Sequence, residues 1–193
     1  KSNVLEKLSN DKYSTELVEI IFPQLKKIQF FKNPNFFAKA KLNECDVIFL
    51  LSILIIDESD NLEFFMYKFN ISKKDQKRLN NMNNFFNDKI TSSSFSERNL
   101  NKLFYYNGKQ AVIDILSYKL FVSKKIDKKL IALLEIFKSK VMPSLPITAQ
   151  TLMSEHNIPK GKTLGNKLKM IEEEWVNNNF KLSDKQINKI ISR

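Results

Sequence analysis

The chain has 193 residues, 42% of them hydrophobic and 16 of them Phe, which suffices for a real apolar core and excludes a disordered chain. Only 3 Gly and 5 Pro are present, too few for a sheet protein with many tight turns, so long helices with short connections are predicted. The formal net charge of +11 points to an acidic partner, nucleic acid or an anionic membrane surface. Lys supplies 29 of the 32 basic residues in a chain also crowded with Asn, Ile and Phe, a mix that AT-rich coding would produce by itself, so the charge permits such a partner without requiring one.

In chain order, Glu16–Ile21 carries Leu17, Val18, Ile20 and Ile21 and predicts a helix that Pro23 interrupts. Leu25–Phe31 resumes it, and Pro34 punctuates again. Glu44–Ile56 is the central apolar helix. Its run Val47–Ile56 is shorter than the roughly 20 residues that span a bilayer, so it reads as fully buried. Cys45, the only cysteine, stands at its start as a structural thiol. With one Cys and one His, His156, the chain has no disulfide framework, no thiolate metal site and no multi-histidine metal site. Asn61–Phe69 follows with Leu62, Phe64, Phe65 and Phe69 near helical spacing, and Ser72 with Asp75 three residues later marks the next helix start.

Thr91–Ser94, "TSSS", is a polar linker, and Ser96 is expected to cap Glu97–Tyr106, which Asn107 and Gly108 end. Lys109–Val122 places Ala111, Val112, Ile115, Leu116 and Leu120 on one side, and Lys125–Val141 is a further amphipathic helix. "MPSLPIT", Met142–Thr148, holds two of the prolines and is the expected domain boundary, giving a body of 1–143 and a tail of 144–193. In the tail Thr148 caps a short helix through Met153, the loop "NIPKGKTLG" comes next, and helices follow at Asn166–Asn178 and Ser183–Ile191. No alternating pattern long enough for a strand competes, so the fold class is all-α, a helical bundle followed by a small helical C-terminal domain. No secretory signal opens the chain, which predicts a cytoplasmic protein, and a start at Lys1 is expected of a piece of a longer one.

Nothing in the chain assembles a catalytic set. Glu172–Glu174 are consecutive, so on a helix their side chains fan apart by roughly 100° each and read as a solvated face. Asp57 and Asp60 read as a helix exit, and neither a GxxxxGK[ST] nor a GxGxxG phosphate loop is present. The expected catalytic and metal residues are therefore none.

Basic clusters carry more information. Tyr118–Lys140 holds Lys119, Lys124, Lys125, Lys128, Lys129, Lys138 and Lys140 against Asp127 and Glu135, a polyanion-binding face or a solvated lysine-rich helix pair. In "NIPKGKTLGNKLKMIEEEW", Asn157–Trp175, Pro159 and Gly161 set a turn flanked by Lys160 and Lys162. The first N–H groups of the following helix lack internal partners and carry its positive dipole end, so backbone and lysines together can hold a phosphate. Gly165 would let a sugar–phosphate backbone, or another helix, come close.

The stretch Ile147–Phe180 resembles the C-terminal segment of bacterial CCA-adding enzymes and poly(A) polymerases, a short helix, then "G-x-x-P-G-x-x-(I/L)-G", then a helix with "L…L…W". Leu152, Pro159, Gly161, Leu164, Gly165, Leu168, Ile171 and Trp175 fall on that pattern, with Asn157 where the family has its first Gly; a loop asparagine can take the same positive φ. "NISKKDQKRLNNM", Asn70–Met82, is similar to the "LSNAE…RL" helix start of alphaproteobacterial members, and "LNKLFYYNGKQAVIDIL", Leu100–Leu116, to their "LRRLLYRLG…A.D.L". There Asn101 and Lys102 replace the usual arginine pair. "IIFPQLKKI", Ile20–Ile28, matches "FPEL".

The family's head, with its "GG…VRD" loop and "D-x-D" carboxylates, is not in this sequence, nor are the neck motifs that select CTP and ATP. The resemblance therefore implies the tRNA-binding body and tail of a CCA tRNA nucleotidyltransferase, with no cofactor in this chain and Mg2+, CTP and ATP in a head fused upstream or supplied as a separate chain. It implies tRNA as the partner, and no membrane. RNA contact is expected from Lys160, Gly161, Lys162, Gly165 and Lys167 in the tail and from Lys109, Lys119, Lys124 and Lys125 in the body. Two alternatives stand beside this reading: a poly(A) polymerase relative acting on other RNA 3′ ends, and a non-catalytic α-helical interaction module.

Overall fold

The computed structural model describes residues 2–57 and 59–192, and among them there are helices and no strands, so the fold is all-α. The helices are α1 (Ser2–Asn10), α2 (Lys12–Ile21), α3 (Phe36–Lys41), α4 (Val47–Ile55), α5 (Asn61–Lys68) and α6 (Lys73–Asn87), then α7 (Glu97–Asn107), α8 (Lys109–Val122), α9 (Lys128–Ser139), α10 (Ala149–Glu155), α11 (Lys162–Asn177) and α12 (Asp184–Ile191). No helix among the described residues is long and apolar enough to cross a membrane.

The helix starts follow local chemistry. Asp11, Asn35, Asp46, Ser72, Ser96, Thr148 and Ser183 each accept a hydrogen bond from the N–H three residues on, satisfying one orphan donor of α2, α3, α4, α6, α7, α10 and α12. The helix ends show how a glycine-poor chain stops a helix. Asn70, Asn157 and Asn179 take positive φ (46°, 52° and 55°) just beyond α5, α10 and α11, the place that glycine usually fills. After α5, Ile71 N–H reaches Met66 O; after α11, Phe180 N–H reaches Trp175 O at 2.9 Å and the Phe180 ring closes over Trp175 at 5.0 Å. The positive φ expected of Asn157 is thus present.

The chain divides into two compact units, 1–91 with 109–139, and 92–108 with 140–193. In the first, α8 is the hub, packed by α3, α4, α6 and α9. Its buried side chains run all round it, Ala111, Val112, Ile115, Leu116, Leu120 and Phe121 among them. The apolar α4 is buried beside it, through Phe49, Leu50 and Ser52–Ile55. By contrast α2 turns Tyr13, Leu17, Ile20 and Ile21 outward and buries only Thr15.

In the second unit α11 packs against α7, α10 and α12. The tail core is Ile147, Leu152, Ile158, Leu164, Ile171 and Ile190. Segment 92–108, which precedes the expected 143/144 boundary, belongs to this unit through α7: Tyr105 stands edge-on to Trp175 at 5.5 Å and its hydroxyl donates to Glu172 Oε1 at 2.5 Å. That hydrogen bond, with burial, pushes the Tyr105 hydroxyl up to about 12. Asn101, 1% exposed, donates to Asn179 Oδ1 and accepts from Lys140 Nζ. It is therefore an internal strut of this unit, its amide held between Asn179 and Lys140.

The helix expected at Leu25–Phe31 is reduced to a single 3-10 turn at Ile28–Lys32, bounded by Pro23 and Pro34. α1 and α3 have no counterpart in the sequence pattern, and α11 begins at Lys162 rather than Asn166, because Gly161 serves as its N-cap.

Candidate nucleic-acid interface

The loop at the head of α11 is built by its glycines and its lack of acid. Gly161 sits at φ 148°, ψ −159°, a region essentially closed to residues with a Cβ, and this lets the chain turn directly from Lys160 into the helix. No side chain caps α11 and no acidic residue lies in its first turn, in contrast to α12, where Ser183 and Gln186 form a reciprocal capping box. The leading N–H groups of α11 and its positive dipole end are therefore left to the outside. Lys160 and Lys162 are exposed beside it, and among the described residues neither is paired with a carboxylate.

Gly165 is exposed in the same first turn, and a Cβ added there would meet nothing within 4 Å. Packing against another helix of the described chain does not require this glycine; the bare surface faces solvent. Of the other positions quoted with Gly161 and Gly165, Leu152, Leu164, Ile171 and Trp175 are buried, Leu168 is half-buried and Pro159 is exposed in the loop.

Lys167 has an internal task. Its ammonium donates to Ile190 O at 3.1 Å and Ile191 O at 2.7 Å, the end carbonyls of α12. Lys109 does the same for α9, donating to Lys138 O at 3.1 Å, and Lys27 for α4, donating to Ile56 O. Lys119 is half-buried on α8, whereas Lys124 and Lys125 are exposed in the bend between α8 and α9. The predicted lysines thus separate into Lys160, Lys162, Lys124 and Lys125, exposed, Lys119, half-buried, and Lys109 and Lys167, engaged at helix ends.

A second constellation lies in the first unit. Arg78 Nε and Nη2 donate to Asp114 Oδ2 and Oδ1 at 2.6 and 2.8 Å, a fork-to-fork pair with a carboxylate only 2% exposed. Arg78 also reaches Asp46 Oδ2 at 2.8 Å, and Gln110 donates to Asp114 Oδ1 at 2.9 Å. The Asp114 hydrogen bonds hold the guanidinium still more firmly charged, and against the effect of burial Arg78 and the Phe49 N–H keep Asp46 below the usual carboxylate range. A cavity of about 150 Å³ opens here, lined by Phe37, Cys45, Phe49 and Phe121 among others. Burial pushes the Cys45 thiol up to about 12, which favours its protonated form. Sequence reasoning gave Arg78 and Asp114 no role. No local signal marks them, since the two partners stand 36 positions apart.

The carboxylates weighed in the sequence, Asp57 and Glu172–Glu174, each have a separate partner. Glu172 takes Tyr105, Glu174 takes Asn178 and Glu173 pairs with Lys169, while Asp57 pairs with Lys26. Among the described residues no group of three or more His, Cys, Asp or Glu is placed to hold a metal ion. Comparison with protein-family models, with curated proteins and with solved structures finds no match to this chain.

Proposed function

We propose that the chain is an RNA-gripping body and tail, acting on tRNA in the cytoplasm for a CCA-adding nucleotidyltransferase whose catalytic head is fused upstream or carried by another chain. The carrying observation is the head of α11: an uncapped, acid-free helix start, two exposed lysines with no carboxylate partner among the described residues, and an open glycine on one turn. Anionic phosphate suits that combination, and a folded RNA can be held by shape and phosphate contact without base reading. In this reading Lys160 and Lys162 neutralise phosphates and Gly165 lets the sugar–phosphate backbone lie against the helix. The chain positions the RNA 3′ end; the head, with Mg2+, CTP and ATP, adds the nucleotides.

The test is Lys160→Ala with Lys162→Ala, measured by tRNA-binding anisotropy across a salt series. Loss of two phosphate contacts should weaken binding and shrink the slope of log K against log salt by roughly 1.4 to 1.8. An unchanged affinity and slope would contradict the assignment. One observation favours a second reading, an α-helical interaction module: the outward apolar stripe Tyr13, Leu17, Ile20 and Ile21 of α2. On that reading RNA binding is weak, indifferent to RNA fold and independent of Lys160 and Lys162.

A further inference from the structure

Phe36 opens α3 and is 81% exposed, while its neighbour Phe37 turns inward, edge-on to the buried Phe121 ring at 5.8 Å. The start of α3 is fixed by one side chain. Asn35 Oδ1 accepts from Ala38 N–H at 2.8 Å, and its Nδ2 donates to the carbonyls of Leu120, Phe121 and Ser123, each at 2.8 Å. Asn35 therefore caps α3 and gathers the open carbonyls at the end of α8 at once. The chain runs on from the two joined positions to Phe36 on one side and to Lys124 on the other.

Exposed lysines follow the junction on both sides. Lys124 and Lys125 are exposed in the bend after Ser123, and Lys39, three residues on from Phe36 along α3, shares its face and is exposed. Ala40, four residues on, adds no bulk. Among the described residues no carboxylate pairs with Lys39, Lys124 or Lys125. An aromatic ring in water on a helix that also exposes Lys39, and that Asn35 joins to a bend exposing Lys124 and Lys125, matches a ligand that offers a flat π face and a negative charge side by side. A nucleotide has both, and in a duplex its base faces are hidden by stacking, so the ligand is unpaired.

We propose that Phe36 is a stacking platform for one unpaired RNA base, whose flanking phosphates are met by Lys39, Lys124 and Lys125. The inference rests on the body being an RNA-binding surface, as proposed above, but not on the RNA being a tRNA.

The whole chain is titrated into a short single-stranded RNA with a central 2-aminopurine, whose fluorescence falls on stacking, and in parallel into tRNA and anionic phospholipid vesicles. Phe36→Ala should abolish the quench and weaken single-strand binding about tenfold with the salt slope unchanged. Phe36→Trp should keep the quench and Phe36→Leu, apolar but without a ring, should lose it, while Lys124→Ala with Lys125→Ala should flatten the salt slope. All four variants change exposed side chains, and unchanged circular dichroism melting confirms their folding. Wild-type binding by Phe36→Ala, a full quench by Phe36→Leu, or Phe36-dependent binding to vesicles and not to RNA would overturn the proposal. A Phe36-dependent quench without tRNA binding would support the platform and contradict the tRNA reading; failure of both RNAs overturns both.

Discussion

Gly161 and Gly165 stand four residues apart and answer to different constraints. At φ 148° Gly161 is needed by the backbone itself, and any side chain there is strained. Gly165 is in ordinary helical backbone with open space where a Cβ would be. In an exposed helix turn a glycine costs roughly 0.5–1 kcal/mol relative to alanine, so Gly165→Ala should raise stability by about that much in urea unfolding. If the bare surface serves a phosphate backbone, the same variant binds tRNA more weakly; equal binding would show that the close approach is not used. The lysines divide in the same way. That Lys160 and Lys162 flank a loop could be read in the sequence. That Lys109 and Lys167 close the ends of α9 and α12 could not, because it depends on which helix end arrives beside them in three dimensions.

Among elements, helix starts were the most legible. Ser72, Ser96 and Thr148 cap where the sequence placed caps, since capping involves residues three apart. α3 leaves no periodicity to read in six residues between Pro34 and a 3-10 turn, and Asn35 ties its start to the end of α8, 85 to 88 positions away. The Arg78–Asp114 pair was illegible for the same reason, its partners standing 36 positions apart. Asp114→Ala leaves a guanidinium that is only 19% exposed without its main partner and should cost about 3–5 kcal/mol, a large part of the total stability of a domain. Asp46→Asn, at a carboxylate that is half-exposed and keeps its capping oxygen, should cost about 1 kcal/mol or less. Urea unfolding of both variants decides: equal, small effects would mean that the buried pair does not organise the body.

For the whole molecule, composition settled the fold class, because 3 glycines and 5 prolines leave few ways to build turns and the chain replaces helix-ending glycines with Asn70, Asn157 and Asn179. Composition could not assign segment 92–108 to the second unit; the ring contact of Tyr105 with Trp175 and the bond of Asn101 to Asn179 join residues 70 or more positions apart. Nor could the net charge of +11 say which lysines are free, and only the structure separates those at helix ends from those open to a ligand. The central claim is that this charge and the α11 loop together hold a folded RNA. It is tested most directly by anisotropy of a labelled tRNA lacking its CCA end, bound by the whole chain at two salt concentrations and competed with intact tRNA or single-stranded RNA. The account predicts salt-sensitive binding that folded tRNA displaces at about tenfold lower concentration than single-stranded RNA of equal length. Equal displacement by the two RNAs, or no binding at either salt, would contradict it.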